Sequence, residues 1–264
     1  MIEANGIVQE VQGRTVLNGL NCRFDMGKIY GIIGPNGVGK STFLQLLSGV
    51  ERPKAGDVLL EGRSIYAYPR KQLARRMAVL QQSGLPPVGF SVREVVGMGR
   101  YPYQGWLGSD SDDSEAVIDE AIKAMGLTEL RQRKMDQLSG GERQRVALAK
   151  LMAQQPSIIL LDEPTTYLDI GFQVQLLDTV RAWQRERNLT VIAVLHDLNL
   201  ASLYCDELIV LHRGAIAAAG AARDVLTAEL IGRVYETTAS IVAHPLTGAP
   251  QIMLQPSSYR DDGR

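Results

Sequence analysis

The stretch GPNGVGKST, Gly34 to Thr42, stands between an apolar run, IYGII, and a segment of helical periodicity, KSTFLQLLSG. A glycine-rich loop that ends in Lys-Ser, follows a strand and opens a helix has the chemistry of a phosphate cradle. Gly34, Gly37 and Gly39 leave successive backbone N–H groups bare to wrap a β-phosphate. Pro35, Asn36 and Val38 complete the loop, and Thr42 carries it into the helix. Lys40 supplies positive charge for β and γ oxygens, and Ser41 offers a hydroxyl to Mg²⁺. A second apolar run, IILLDE, ends in Asp162 and Glu163. A carboxylate at such a strand end can hold Mg²⁺ through its water shell, and Glu163 beside it can orient or deprotonate an attacking water. A third run, TVIAVLHD, places His196 at its end, where a γ-phosphate contact is the reading we favour. His212 and His244 carry no such placement and read as structural.

Asp136 to Arg145, DQLSGGERQR, offers a second anion site. Ser139 and Glu142 have the S-x-x-E spacing of a capping box, which starts a helix at Ser139. Gly140 and Gly141 then occupy its first turn, where each costs roughly 1 kcal/mol relative to alanine. Bare N–H groups at a helix start combine with the helix dipole to attract an anion.

The elements that must hold these residues follow from patterning. Continuous apolar runs mark strands buried on both faces, and their alternation with helical segments implies a mostly parallel sheet with helices on both sides. Gly34, Asp162, Glu163 and His196 fall at strand carboxyl ends, where such sheets bind ligands. The first 25 residues read as short strands, IVQEV, TVL and CRF, broken at Gly13 and at Asn18–Gly19. Residues 85–137 read as an inserted helical lobe, with 1–84 and 138–238 as the core and 239–264 as a tail of two short strands. In SEAVIDEAIKAMGL, Ile118, Ile122 and Met125 share a helix face that Gly126 ends. The acidic SDSDDSE reads as a solvated helix start rather than a metal site.

A formal charge of −1 with 45% apolar and 22% charged residues describes an ordinary folded domain and gives no footprint for nucleic acid. RKQLARR, Arg70 to Arg76, reads as a solvated helix face. Cys22 and Cys205 read as two buried free thiols of a reducing compartment. Without a membrane-length apolar run or a signal-like start, the chain is expected in the cytosol.

GPNGVGKST, Gln82, LSGGERQRVALAK, IILLDEPTTYLD and VLHD occur in this order. Together they resemble the ATPase subunit of ATP-binding-cassette transporters over nearly the whole chain. The resemblance implies an α/β P-loop NTPase core with a small antiparallel N-terminal part. It implies ATP and Mg²⁺ as cofactors, with Gln82 linking Mg²⁺ and water to a membrane partner. Glu163 would be the general base, Asp169 a dimer-seam aspartate and His196 the switch histidine. It also implies that the Ser139–Gly140–Gly141 helix end grips the γ-phosphate of ATP held by a second copy, so that two copies close head to tail. Val11 departs from the pattern, standing where such subunits place an aromatic to stack on adenine.

Within the family, SVREVVGMGRYPYQGWLG, DEPTTYLDI and VLHDLNLAS resemble the ATPases of importers for iron-siderophore complexes, haem or cobalamin. The partners so implied are two membrane permease subunits and, indirectly, a substrate-binding protein, with the ATPase peripheral at the cytoplasmic membrane face. Tyr101, Tyr103 and Trp106 would then lie where a permease helix docks, core packing of the lobe being the other reading. A soluble, non-transport cassette ATPase of the iron-sulfur assembly type is the alternative.

Overall fold

The computed structural model describes residues 1–81, 89–105, 114–166 and 168–256. The chain divides into two units, Met1–Ser64 with Ile192–Arg264, and Ile65–Val191.

In the first unit, β1 (Ile2–Val11) and β2 (Arg14–Phe24) pair antiparallel. Their buried side chains, Ile2, Ala4, Ile7, Leu17, Leu20 and Phe24, leave alternate positions to solvent, as a half-covered sheet requires. Asn18–Gly19 does not break β2. Pairing jumps from Val8 opposite Asn18 to Ile7 opposite Leu20, so Gly19, at φ 71°, is the extra residue of a bulge. Asn18 N–H, turned outward there, donates to Gly214 O at 2.8 Å. β3 (Ile29–Ile33) is buried throughout and leads through a loop into α1 (Lys40–Leu47). β4 (Ala55–Leu60) and β5 (Arg63–Ser64) extend the first sheet in the order β2-β1-β4-β5. Phe24 packs edge-on against Tyr30 at 5.1 Å and tilted against Phe43 at 6.4 Å, joining sheet, β3 and α1 in one core.

The second unit begins with α2 (Arg70–Arg76), in which only Leu73 is buried, as a solvated face demands. β6 (Met77–Leu80) runs parallel to a later strand, Met77 opposite Ile158 and Leu80 opposite Leu161. α3 (Val92–Gly97) starts with a capping box between Ser91 and Glu94. α4 (Ser114–Ala124) buries Ile118 and Ile122, and Gly126, at φ 63°, ends its last turn as the sequence implies. Apart from Ser114 and Glu115, the acidic run before α4 lies outside the described residues. α5 (Gly140–Ala153) packs on both α3 and α4, and the buried β7 (Ile158–Asp162) and the long α6 (Ile170–Arg187) follow.

Along β8 (Thr190–Val194) the chain returns to the first unit, where Leu195 N–H donates to Ile32 O at 3.2 Å. α7 (Leu198–Tyr204) then leads to β9 (Glu207–His212), which lies parallel to β3 with Ile33 opposite Val210. β9 and β10 (Ala215–Gly220) form an antiparallel hairpin. After α8 (Ala222–Val225) and α9 (Ala228–Tyr235), β11 (Ala239–Ala243) and β12 (Pro250–Leu254) make the two-stranded tail. Cys205 is buried, but Cys22 is only half-buried, because it sits on the edge of β2 rather than in an enclosed strand. Burial nonetheless pushes the Cys22 thiol up to about 12, which leaves it protonated and inert at neutral pH. Among the described residues no helix is long and apolar enough to cross a membrane.

Phe43→Ala should cost about 3–5 kcal/mol, since the ring is fully enclosed and its cavity cannot be refilled by backbone. Leu246→Ala, at a side chain 90% exposed, should stay within about 0.5 kcal/mol of the parent. Urea unfolding of the two variants measures both.

Candidate functional site

Backbone geometry at the end of β3 explains why glycines are needed. Gly34 has φ 148°, and a Cβ there would lie 2.2 Å from Leu211 O, on the neighbouring parallel strand. Gly39 has φ 101°, and a Cβ would press to 2.6 Å on Val16 and 2.8 Å on Leu17. It is the N-cap of α1 and brings no side chain to the helix start. Asn36 and Gly37 at the loop's tip are exposed, Pro35, Val38, Ser41 and Thr42 are half-buried, and Lys40 is buried. Lys40 Nζ donates to Gly34 O at 2.8 Å and to Pro35 O at 2.9 Å, which folds the ammonium back over the loop it follows. The result is a concave surface of N–H donors with one cation held against it, an arrangement suited to a phosphate chain.

His196, after β8, lines the same cavity as Gly34 to Val38, about 660 Å³ in volume. Its neighbour Asp197 caps α7, accepting from Asn199 N–H at 2.8 Å and Leu200 N–H at 2.9 Å, so the histidine sits on a fixed backbone. His212 and Arg213 line this cavity as well, together with Val234, Tyr235 and Glu236. His212, read from the sequence as having no such placement, thus lies beside the same loop. β9 lies beside β3, so its end emerges next to the loop that β3 feeds, a neighbour relation that no local spacing reveals. His244 does hold a turn, its Nδ1 accepting from Leu246 and Thr247 N–H at 3.3 Å each.

In the second unit, β7 delivers Asp162, which is buried, and then Glu163, which is half-buried. Glu163 adopts a left-handed φ of 50°, uncommon for a residue with a Cβ, and its carboxylate accepts from Thr166 Oγ1 at 3.4 Å. Gln144 of α5 donates to Pro164 O at 3.1 Å, tying the helix with the serine-glycine-glycine start to the segment after β7. That start is the reciprocal box the spacing implies. Ser139 Oγ accepts from Glu142 N–H at 3.3 Å, and Glu142 accepts from Ser139 N–H at 2.7 Å. The Ser139 backbone bond, then the Ser139 side chain, holds the Glu142 carboxyl below the ordinary carboxylate range. Gly140 is exposed with open space around its Cβ position, while Gly141 faces the Phe172 ring at 3.7 Å. Asp169 caps α6, accepting from Phe172 N–H at 2.9 Å.

Gln82 and Trp106 lie outside the described residues. The two remaining aromatics of that cluster differ. Tyr103 is packed between Arg75 and Arg100, 5.0 and 3.9 Å from its ring centre, and donates to Gln154 O at 3.1 Å. Tyr101 is 62% exposed, with Lys71 over its ring at 5.2 Å. Val11 is also exposed, at the end of β1. Ser41 in the first unit and Asp162 in the second each carry a hard oxygen donor of the kind Mg²⁺ takes.

Residues 17–166 match the protein-family model described as ABC transporter. The ferric enterobactin transport ATP-binding protein FepC of Escherichia coli is 42% identical over 239 residues, 90% of this chain and 88% of that protein. The cobalamin import ATP-binding protein BtuD of Halobacterium salinarum is 39% identical over 248 residues, 94% of this chain and 62% of that protein. Among solved structures, a dimeric ATP-binding cassette in a post-hydrolysis state, bound to ADP and Pi, matches with a TM-score of 0.73 at 26% identity, over 84% of this chain and 98% of that one.

Gly34→Ala should abolish tight nucleotide binding and lower stability, because both φ and the Leu211 carbonyl forbid the methyl group. Gly37→Ala meets nothing within 4 Å and strains only φ, at 76°, so it should bind more weakly than the parent but more tightly than Gly34→Ala. Titration with a fluorescent ATP analogue ranks the three proteins.

Proposed function

Because the chain belongs to the ABC transporter family of ATP-binding subunits, we propose that it is the ATP-hydrolysing subunit of an importer for iron-chelate or cobalamin-type substrates. The observation that carries this reading is the identity of 42% with a ferric enterobactin transport subunit, spread over 88% of that protein. The cradle geometry supports it independently, since a loop that excludes side chains at Gly34 and Gly39 and folds a lysine over its carbonyls is built for a phosphate chain.

In this reading Gly34 to Thr42 bind the phosphates, and Lys40 turns from its loop carbonyls to the β and γ oxygens. Ser41, Asp162 and Gln82 are the residues offered to Mg²⁺, which when bound neutralises charge on those oxygens. Glu163 takes the proton of the attacking water, and His196 contacts the γ-phosphate. The left-handed backbone of Glu163 supports its role, because strain of that kind is retained where a side chain must be aimed. Ser139, Gly140, Gly141 and Glu142 close on nucleotide held by a second copy, with Asp169 at the seam. Two membrane permeases and a substrate-binding protein complete the importer, with this subunit peripheral on the cytoplasmic face.

Glu163→Gln should bind ATP at parental affinity but hydrolyse it about 10²–10⁴ times more slowly, the usual worth of general-base help. With hydrolysis blocked, ATP and Mg²⁺ should hold the variant as a dimer on gel filtration. A variant that turns over ATP at the parental rate removes Glu163 from the chemistry.

A further inference from the structure

Glu163 stands in a backbone conformation that its sequence disfavours twice over. Its φ of 50° is left-handed, where a Cβ crowds the following carbonyl. The next residue is proline, which ordinarily keeps its predecessor extended. Such a conformation persists only where surrounding contacts over-determine it. Within the turn, Thr166 N–H donates to Glu163 O at 3.2 Å, and Thr166 Oγ1 donates to the carboxylate at 3.4 Å. Both bonds stay inside the turn, so fixing it against the rest of the unit takes a contact from another element.

α5 supplies that contact. Gly141 and Gln144 are three residues apart and share one face of the helix. Gln144 Nε2 donates to Pro164 O at 3.1 Å, the carbonyl of the residue directly after Glu163. Pro164 is buried, and a buried acceptor left without a donor is costly. From the same face, Gly141 meets the Phe172 ring, 3.7 Å from its Cβ position, in the first turn of α6. Asp169 caps that turn through Phe172 N–H, and Gln173 Nε2 donates back to Thr165 O at 3.3 Å and Leu168 O at 3.0 Å. The stretch that begins at Glu163 is thus pinned to α5 at Pro164 and again at Phe172. α5 is a firm base, closed by the Ser139–Glu142 box and packed on α3 and α4.

We propose that Gln144 is a positioning residue for Glu163, its amide holding the Pro164 carbonyl so that the strained residue before it stays aimed at the attacking water. The inference rests on the reading of Glu163 as the general base. Gln144 touches no reacting atom. Its hydrogen bond fixes the peptide after Pro164, and the proline ring fixes φ of Pro164 itself. Glu163 is then denied the rotation by which it would relax to an extended form and carry its carboxylate away. Nucleotide is held in this reading by Gly34 to Thr42, so binding does not depend on Gln144.

The test is Gln144→Met, which keeps side-chain length and helix propensity and removes the donor. Single-turnover hydrolysis is counted per site that binds a fluorescent ATP analogue, so loss of folded protein does not enter the rate. At saturating MgATP the rate should fall about 2- to 10-fold, the effect of one net hydrogen bond, with the dissociation constant at the parental value. Added to Glu163→Gln, the same change should slow hydrolysis no further, because the group it positions is already disabled. Unchanged hydrolysis by Gln144→Met overturns the proposal. Slowing of Glu163→Gln by the same factor also overturns it, since Gln144 would then act through α5 and not through the base. Hydrolysis at the parental rate by Glu163→Gln alone is a separate result, in which the reading of Glu163 is what fails.

Discussion

A chain of phosphates can be held only by groups that reach it closely and carry the opposite charge, and the backbone can do so only where side chains are absent. The structure meets this constraint at the end of β3. Gly34 lies against the Leu211 carbonyl and Gly39 against Val16 and Leu17, so at these two positions the loop has no room for a side chain. Lys40 is buried and tethered by two carbonyls of its own loop, which holds its charge against the cradle. Exchanging two neutral acceptors for phosphate oxygens is favourable, because charge-assisted hydrogen bonds are roughly twice as strong as neutral ones.

The rest of the first unit supports that loop. β9 runs parallel to β3 and supplies the carbonyl that fixes Gly34, while its end brings His212 and Arg213 to the cavity. The turn at Gly214 accepts a hydrogen bond from Asn18, so the bulge in β2 secures the hairpin that flanks the site. In the second unit the same logic appears at a helix start. Ser139 and Glu142 satisfy each other's backbone donors, and Gly140 stays exposed with nothing near its Cβ position. Such a start can receive an anion from outside its own chain.

Local chemistry was legible in the sequence wherever one element decides it. The S-x-x-E spacing gave the capping box at Ser139, the apolar runs gave the buried strands β3, β7 and β8, and the glycine at 126 ended α4 where its position implies. What depended on neighbours was not legible. Asn18–Gly19 has turn residues, yet pairing with β1 on one side absorbs Gly19 as a bulge and keeps β2 continuous. His212 gains a place beside the loop from β9 lying next to β3, and Tyr235, far along the chain, lines the same cavity as Gly34. Single-sequence patterning carries the period of an element but not which element it meets.

The proposed function requires that the cradle of each chain and its exposed serine-glycine-glycine helix end be used by two copies, each completing the other's site. The direct measurement mixes differently tagged Ser139→Arg and Lys40→Ala chains, isolates the doubly tagged dimer and counts tightly held ATP. One site of that dimer joins a sound cradle to a sound helix end, and the other carries both lesions. The account predicts one trapped ATP per mixed dimer and essentially none in either mutant homodimer. Mixed dimers that hold no more ATP than the homodimers would contradict it, and would leave the helix end as a cap that serves only its own chain.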